Sequence, residues 1–155
     1  MSVLKSKRQE SPFEVFVHAR KMRRAIIELA CRDFGYKPKE KPCETEAQRT
    51  KRLNCQRQLL DKEMNFIFDI LRYIMRNITM ANKIFPTNAS EYEARRLYQD
   101  KAIAACIDLQ CELQCCIEDF ALDVNIFFRY EAIIQKEISL LKAWRKADNK
   151  FKNKF

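Results

Sequence analysis

The strongest constraint on the fold is an apolar seam whose spacing alternates between four and three residues over a continuous stretch of the chain. Such spacing places side chains on one face of an α-helix. Phe66, Tyr73 and Met80 form a second apolar row on another side of the same predicted helix. A helix that is apolar over most of its circumference lies at the centre of a domain or is shared between subunits. The seam consists of Leu60, Met64, Ile67, Leu71, Ile74, Ile78, Ala81 and Phe85.

Helix-breaking residues are scarce, and they fall where the helical patterns stop. The 155 residues include one Gly and four Pro, which permits long helices. Gly35 suits the C-terminal end of a first helix, and Pro86 stops the helix that carries the seam. The patterns predict four helices, at about 12–34, 45–85, 90–120 and 124–147.

Polar residues at the predicted helix starts support these boundaries. The fourth helix is expected to begin near Asp123 or Asn125, and the short connections at 86–90 and 121–125 make neighbouring helices antiparallel. The sequence therefore predicts an all-α fold: an antiparallel up-down four-helix bundle over residues 11–147, with basic tails at 1–10 and 148–155. Three capping boxes are predicted, namely Ser11 with Glu14, Thr45 with Gln48, and Ser90 with Glu93.

Composition argues against most enzyme classes. Phosphate loops and dinucleotide-binding turns need several glycines, so a single Gly excludes NTPase and Rossmann folds. His18 is the one histidine, which removes His-rich metal sites. The carboxylate metal centres of ferritin-like bundles need Glu-x-x-His motifs, and the sequence has none. We therefore predict a protein that is not an enzyme and that needs no cofactor or metal.

Seven cysteines, an odd number, occur in a sequence without a secretory signal. This favours reduced thiols over a disulfide framework. No apolar run reaches the roughly 18 residues of a membrane span, so we expect a cytoplasmic protein. Cys111 and Cys115 could contribute to a thiolate zinc site, but Cys-x-x-Cys motifs are missing and cysteine often serves as a small apolar residue. Core packing is the preferred interpretation.

The net charge of +9 is unevenly distributed. The C-terminal region 141–155 is strongly basic, and it offers Lys142, Arg145 and Lys146 as candidate anion-binding residues. Two arginine pairs, Arg20 with Arg24 and Arg72 with Arg76, are each one helical turn apart and could present two guanidinium groups to phosphate oxygens. The alternative is a solvated face with intrahelical salt bridges, such as Arg24 with Glu28 or Asp69 with Arg72. For the whole chain, the basic surplus favours a polyanionic partner.

Several short segments together resemble one protein family. They are SVLKSKR at 2–8, ANKIFPTN at 81–88, YEARRLYQ at 92–99 and LKAWRK at 141–146. The chain resembles the accessory variability determinant (Avd-like) four-helix-bundle proteins of diversity-generating retroelements, which are similar to the bundles encoded by intervening sequences in bacterial ribosomal RNA genes. The resemblance spans most of the chain. It departs from shorter members in the polar, cysteine-containing segment at 36–58.

The resemblance implies a homopentameric barrel of four-helix bundles with a positively charged surface. It also implies a role as a partner of the element's reverse transcriptase, binding RNA or DNA to support mutagenic copying of a template, without catalysis of its own. Carried over by position, Arg95 and Arg96 join Arg72 and Arg76 as implied nucleic-acid-binding residues.

A second hypothesis comes from a different functional class. The apolar faces of the bundle and an acidic region at 106–131 would also suit a protein–protein scaffold or a phage regulatory protein that does not bind nucleic acid. Salt distinguishes the two hypotheses, because binding to phosphates weakens steeply as counterions compete, whereas an apolar interface tolerates salt.

Overall fold

The computed structural model describes residues 11–155, which form an all-helical fold, as predicted. Between residues 11 and 155 there is no strand. Two short 3-10 helices, Asp33–Gly35 and Asp148–Phe151, follow α1 and α4. The predicted tail at 1–10 and the side chain of Ser11 lie outside the described part of the chain. The four α-helices are α1 (Ser11–Cys31), α2 (Glu46–Lys83), α3 (Ala89–Asp119) and α4 (Val124–Ala147).

The helices pack as a closed ring. Each helix contacts the next one along the chain, and α4 also contacts α1. Most of the predicted seam on α2 is buried, including Ile67, Ile74 and Ile78. The second row is exposed, since Phe66, Tyr73 and Met80 all lie on the surface of the single chain. Among residues 11–155, no helix combines the length and apolar character that crossing a bilayer requires.

The polar residues at the helix starts confirm one predicted capping box and the predicted start of α4, and they correct a second capping box. Thr45 and Gln48 form the predicted capping box at α2, and Asp123 caps α4. The prediction of Ser90 with Glu93 for α3 was wrong, because Asn88 accepts the hydrogen bond from the Glu91 amide instead. The Glu91 carboxylate in turn accepts a hydrogen bond from the Thr87 amide. The N-cap of α3 is therefore Asn88, two residues before the predicted Ser90, and it also uses a short polar side chain to accept from a backbone amide.

The end of α1 differs from the prediction that it continues to residue 34. The α-helix ends at Cys31, and the next three residues of the 3-10 turn all have positive φ: Asp33 (54°), Phe34 (55°) and Gly35 (78°). This conformation carries Phe34 into the core, where it is fully buried. A Cβ on Gly35 would lie 2.8 Å from Ile126 Cδ1, so a larger residue there would displace the end of the Ile126 side chain as well as strain the backbone.

The C-terminal boundary of the bundle lies later than predicted. The segment after α4 was expected to be a basic tail from residue 148, but Asp148 and Phe151 are buried in the 3-10 helix that follows α4. Asp148 accepts a hydrogen bond from Arg95 Nε at 2.6 Å, which ties this segment to α3. The packed part of the chain therefore extends to residue 151.

A buried polar contact joins α1 to α4. His18 Nδ1 lies 2.6 Å from Glu137 Oε2, and Glu137 is fully buried. Burial raises the pKa of Glu137 to about 8. Burial, reinforced by Lys136 and Lys21 and opposed by Glu14, lowers the pKa of His18. The pair therefore holds one proton at neutral pH in the folded state. In the unfolded chain, both groups are mostly deprotonated at that pH.

This pair predicts that the folded state loses stability as the pH rises through neutrality. An unfolded chain releases its His18 proton near pH 6.5, whereas the folded pair keeps its proton up to about pH 8. The folded state binds more protons in this window, so the free energy of unfolding falls by about 1 kcal/mol between the two pH values. We expect Glu137→Gln to remove this part of the decline, measured by urea denaturation at both pH values. Glu131→Gln, an exposed change on the same helix, is the control, and an unaltered decline in Glu137→Gln would disprove the assignment.

Candidate nucleic-acid interface

Arg72 and Arg76 lie on the solvent side of α2, opposite the buried seam. Both side chains are exposed, because residues 67, 74 and 78 of the same helix turn its apolar face inward. Asp69 Oδ1 lies 3.9 Å from Arg72 Nη1, a long contact between exposed groups that contributes little. The predicted pair is therefore presented to solvent with most of its hydrogen-bond donors free.

A groove between α1 and α2 brings arginines from the two helices together. It has a volume of about 460 Å³, with Arg23 on one wall and Arg72 on the other. Its floor is apolar and includes Ile27 and Phe68. Arg20 and Arg24, both exposed, flank Arg23 within one turn of α1. We define the basic groove by Arg20, Arg23, Arg24, Arg72 and Arg76.

The sequence analysis missed Arg23. Its signal was present, since Arg23 stands directly before Arg24 and one turn after Arg20, but the spacing rule selected pairs four residues apart. The residue is half-buried, and only the packing of the two helices shows that it lines the same groove as Arg72.

The basic groove has the chemistry of a phosphate-binding surface. Among the described residues, Arg20, Arg23, Arg24 and Arg76 make no ion pair within 4.0 Å, so the proposed Arg24–Glu28 salt bridge is not formed. Asp69 is the acidic residue among the groove's lining. Guanidinium groups donate to phosphate oxygens in a fixed fork geometry. The groove therefore presents positive charge from two helices, with Asp69 as the one acidic residue among the described residues of its lining.

Arg95 does not belong to this surface, and its prediction as a nucleic-acid contact was wrong. Its side chain is buried, and Nη1 donates to the carbonyl oxygens of Ala81, at 3.1 Å, and Ile84, at 2.7 Å. Nε donates to Asp148, and the guanidinium lies over the Trp144 ring, 5.1 Å from its centroid. The donors of Arg95 are thus directed at the protein interior, where they hold three chain segments together.

The remaining predicted cations lie elsewhere on the bundle. Arg96 is half-buried and donates to Tyr92 Oη at 2.9 Å and to Asn149 Oδ1 at 3.0 Å. On α4, Lys142 and Lys146 are exposed, while Arg145 forms an ion pair with Asp100. None of these residues lines the groove between α1 and α2. The structure thus separates the predicted cations into the basic groove and a second set at the C-terminal end of α4.

Other titratable groups with shifted pKa values lie outside the basic groove. Burial raises the pKa of the Cys106 and Cys116 thiols, while Cys111 and Cys115 are exposed. The Glu112 carboxyl, hydrogen-bonded to Glu63, has its pKa raised to about 7. Within residues 11–155, no three or more His, Cys, Asp and Glu side chains cluster as a metal site requires.

Comparison of the chain with protein-family models, curated proteins and solved structures found no match.

The reassignment of Arg95 generates a stability prediction. We expect Arg95→Ala to lower the free energy of unfolding by about 3–5 kcal/mol, because it leaves the buried Asp148 carboxylate without its cation. Arg96→Ala, at the next position, removes a partly exposed side chain and should cost about 1 kcal/mol or less. Urea denaturation of the two variants measures the difference, and equal small losses would contradict a structural role for Arg95.

Proposed function

We propose that this protein is a non-enzymatic accessory subunit that binds RNA or DNA through the basic groove and acts with a retroelement reverse transcriptase in the cytoplasm. Nucleic-acid binding is supported by the groove, where Arg23 and Arg72 face each other with Asp69 as the acidic lining residue. Phosphate contacts supply most of the affinity of such surfaces and carry little sequence information. The reverse transcriptase partner is supported by the sequence resemblance alone.

The proposed architecture is an antiparallel up-down bundle. It is supported by contacts that join the early part of one helix to the late part of another. His18, in the first half of α1, contacts Glu137, in the second half of α4. Arg145, late in α4, pairs with Asp100, early in α3, and Arg95, near the start of α3, reaches the Ala81 carbonyl at the end of α2.

The proposed assembly is a homopentamer. Its support is the exposed apolar row on α2, at Phe66, Tyr73 and Met80, and the resemblance, which supplies the subunit number. Phe66 and Tyr73 line a groove against α3 that includes the small residues Ala104 and Ala105. Small residues allow a neighbouring helix to approach closely, and contiguous exposed apolar surface marks protein contacts.

The nucleic-acid proposal predicts that reversing two groove charges weakens binding. We expect Arg72→Glu/Arg76→Glu to reduce affinity for a structured RNA by at least about tenfold at low salt. It should also lower the slope of log affinity against log salt by about two, since two phosphate contacts are lost. Fluorescence anisotropy titrations over a salt series measure both quantities, and circular dichroism checks that the helices remain.

A matched control is available on the same helix. Lys51→Glu/Lys62→Glu changes the net charge equally at exposed positions of α2 outside the basic groove, so it measures the general effect of charge. If both double variants lose the same affinity, binding is diffuse and the groove is not the site. If the parent protein binds no RNA at low salt, the nucleic-acid proposal fails.

The assembly proposal predicts that a charge in the apolar row disrupts the oligomer. We expect Tyr73→Glu to reduce the subunit number, because a carboxylate buried in an interface without a partner is costly. Phe128→Glu introduces the same charge at an exposed aromatic position on α4 and should leave the assembly intact. Size-exclusion chromatography with light scattering measures the mass of each variant, and a monomeric parent would contradict the assembly.

The scaffold hypothesis is the second candidate, and the same apolar row favours it. A protein that used Phe66, Tyr73 and Met80 to bind another protein would retain its partner at high salt. If the parent protein does not bind RNA at low salt and its oligomer persists at high salt, the scaffold function is favoured over the accessory subunit.

A further inference from the structure

An exposed aromatic side chain stands at the end of the bundle where α2 stops and where the 3-10 helix after α4 packs. Phe85 is 74% exposed, the largest value among the exposed large hydrophobic residues of the described chain. The seam predicted that Phe85 would be buried, but α2 ends at Lys83 and Ile84 adopts an extended conformation with φ −87° and ψ 109°. The change in backbone direction removes Phe85 from the seam and turns it outward.

The backbone on both sides of Phe85 is anchored to the bundle. The Ile84 carbonyl accepts a hydrogen bond of 2.7 Å from Arg95, and Pro86 is buried. The ring of Phe151 packs against Phe85 edge-on, with centroids 5.8 Å apart and an interplanar angle of 81°. An edge-on contact leaves aromatic surface of Phe85 free for a planar ligand.

The surroundings of the two rings are positively charged. Lys150 Nζ and Lys154 Nζ lie 5.3 Å and 5.4 Å from the centroid of the Phe151 ring. The buried carboxylate at this end, Asp148, is neutralised by Arg95, and the Glu91 carboxylate accepts from Thr87 at the start of α3. We call Phe85, Phe151, Lys150 and Lys154 the aromatic platform.

We propose that the aromatic platform binds single-stranded RNA or DNA, with an unpaired base stacked on Phe85 and neighbouring phosphates bound by Lys150 and Lys154. Base stacking on aromatic rings beside a positively charged surface is how proteins bind single strands without sequence preference. A base in a duplex is already stacked and its face is covered, so the platform selects single strands. This inference rests on the proposed nucleic-acid binding and deepens it by naming the substrate class.

The test separates stacking from charge and from simple apolar contact. An oligouridine strand of about 12 nucleotides and an RNA duplex of the same length are titrated with the full chain at about 50 mM salt. We expect Phe85→Ala and Phe85→Leu to weaken single-strand binding about five- to tenfold while changing duplex binding less than about twofold. Phe85→Tyr, which keeps an aromatic ring, should retain the parent affinity. Phe128→Ala removes an aromatic side chain that is 60% exposed on α4 and should have no effect.

The outcomes distinguish this proposal from the function on which it rests. Unchanged single-strand affinity in both Phe85→Ala and Phe85→Leu overturns the platform while leaving the basic groove in place, since Arg72→Glu/Arg76→Glu should weaken both probes. A parent protein that binds neither probe overturns both proposals. A lower subunit number in Phe85→Ala by light scattering makes Phe85 a subunit contact. If the parent protein binds phosphatidylserine vesicles but no single strand, and Phe85→Ala loses the vesicle binding, Phe85 is a lipid contact. Either the subunit contact or the lipid contact overturns the platform.

Discussion

One buried cation organises the end of the bundle where three chain segments meet. The Arg95 guanidinium donates to the Ala81 and Ile84 carbonyls at the end of α2 and to Asp148 after α4. Gln99 Nε2 donates to the same carboxylate at 2.6 Å. The last carbonyls of a helix have no partner within it, and a buried charge requires a counter-charge. Arg95 meets both needs, so it helps fix where α2 ends and where the C-terminal segment packs.

The exposure of Phe85 and the burial of Asp148 follow from this arrangement, and neither could be predicted from sequence. Periodicity is a local signal, and it placed Phe85 in phase with seven other seam residues. Helix α2 ends two residues before Phe85, where the Ile84 carbonyl accepts a hydrogen bond from Arg95. Asp148 stands among lysines and arginines in the sequence, which suggests a solvated tail. Its partner is 53 residues away, beyond the reach of any spacing rule.

Features encoded within a few residues were predicted well. The Thr45–Gln48 capping box, the Asp123 cap and the four helices all depend on neighbours along the chain. Arg72 and Arg76 were expected one helical turn apart on α2, and both are exposed. The facing of Arg23 and Arg72 depends on how α1 packs against α2. Helical periodicity identifies the faces of each helix, but it does not show which faces meet.

Helix α2 carries two different surfaces on adjacent residues. Arg72 lines the groove toward α1, while Phe66 and Tyr73 line the one toward α3, and Arg72 and Tyr73 are adjacent in sequence. Burial of Tyr73 against another subunit would bring the neighbouring arginines close to low-dielectric surface, which strengthens their electrostatic interactions. Bound phosphates would offset repulsion among the arginines. Nucleic-acid binding and assembly would then be linked through α2, and linkage is reciprocal, so each would favour the other by the same factor.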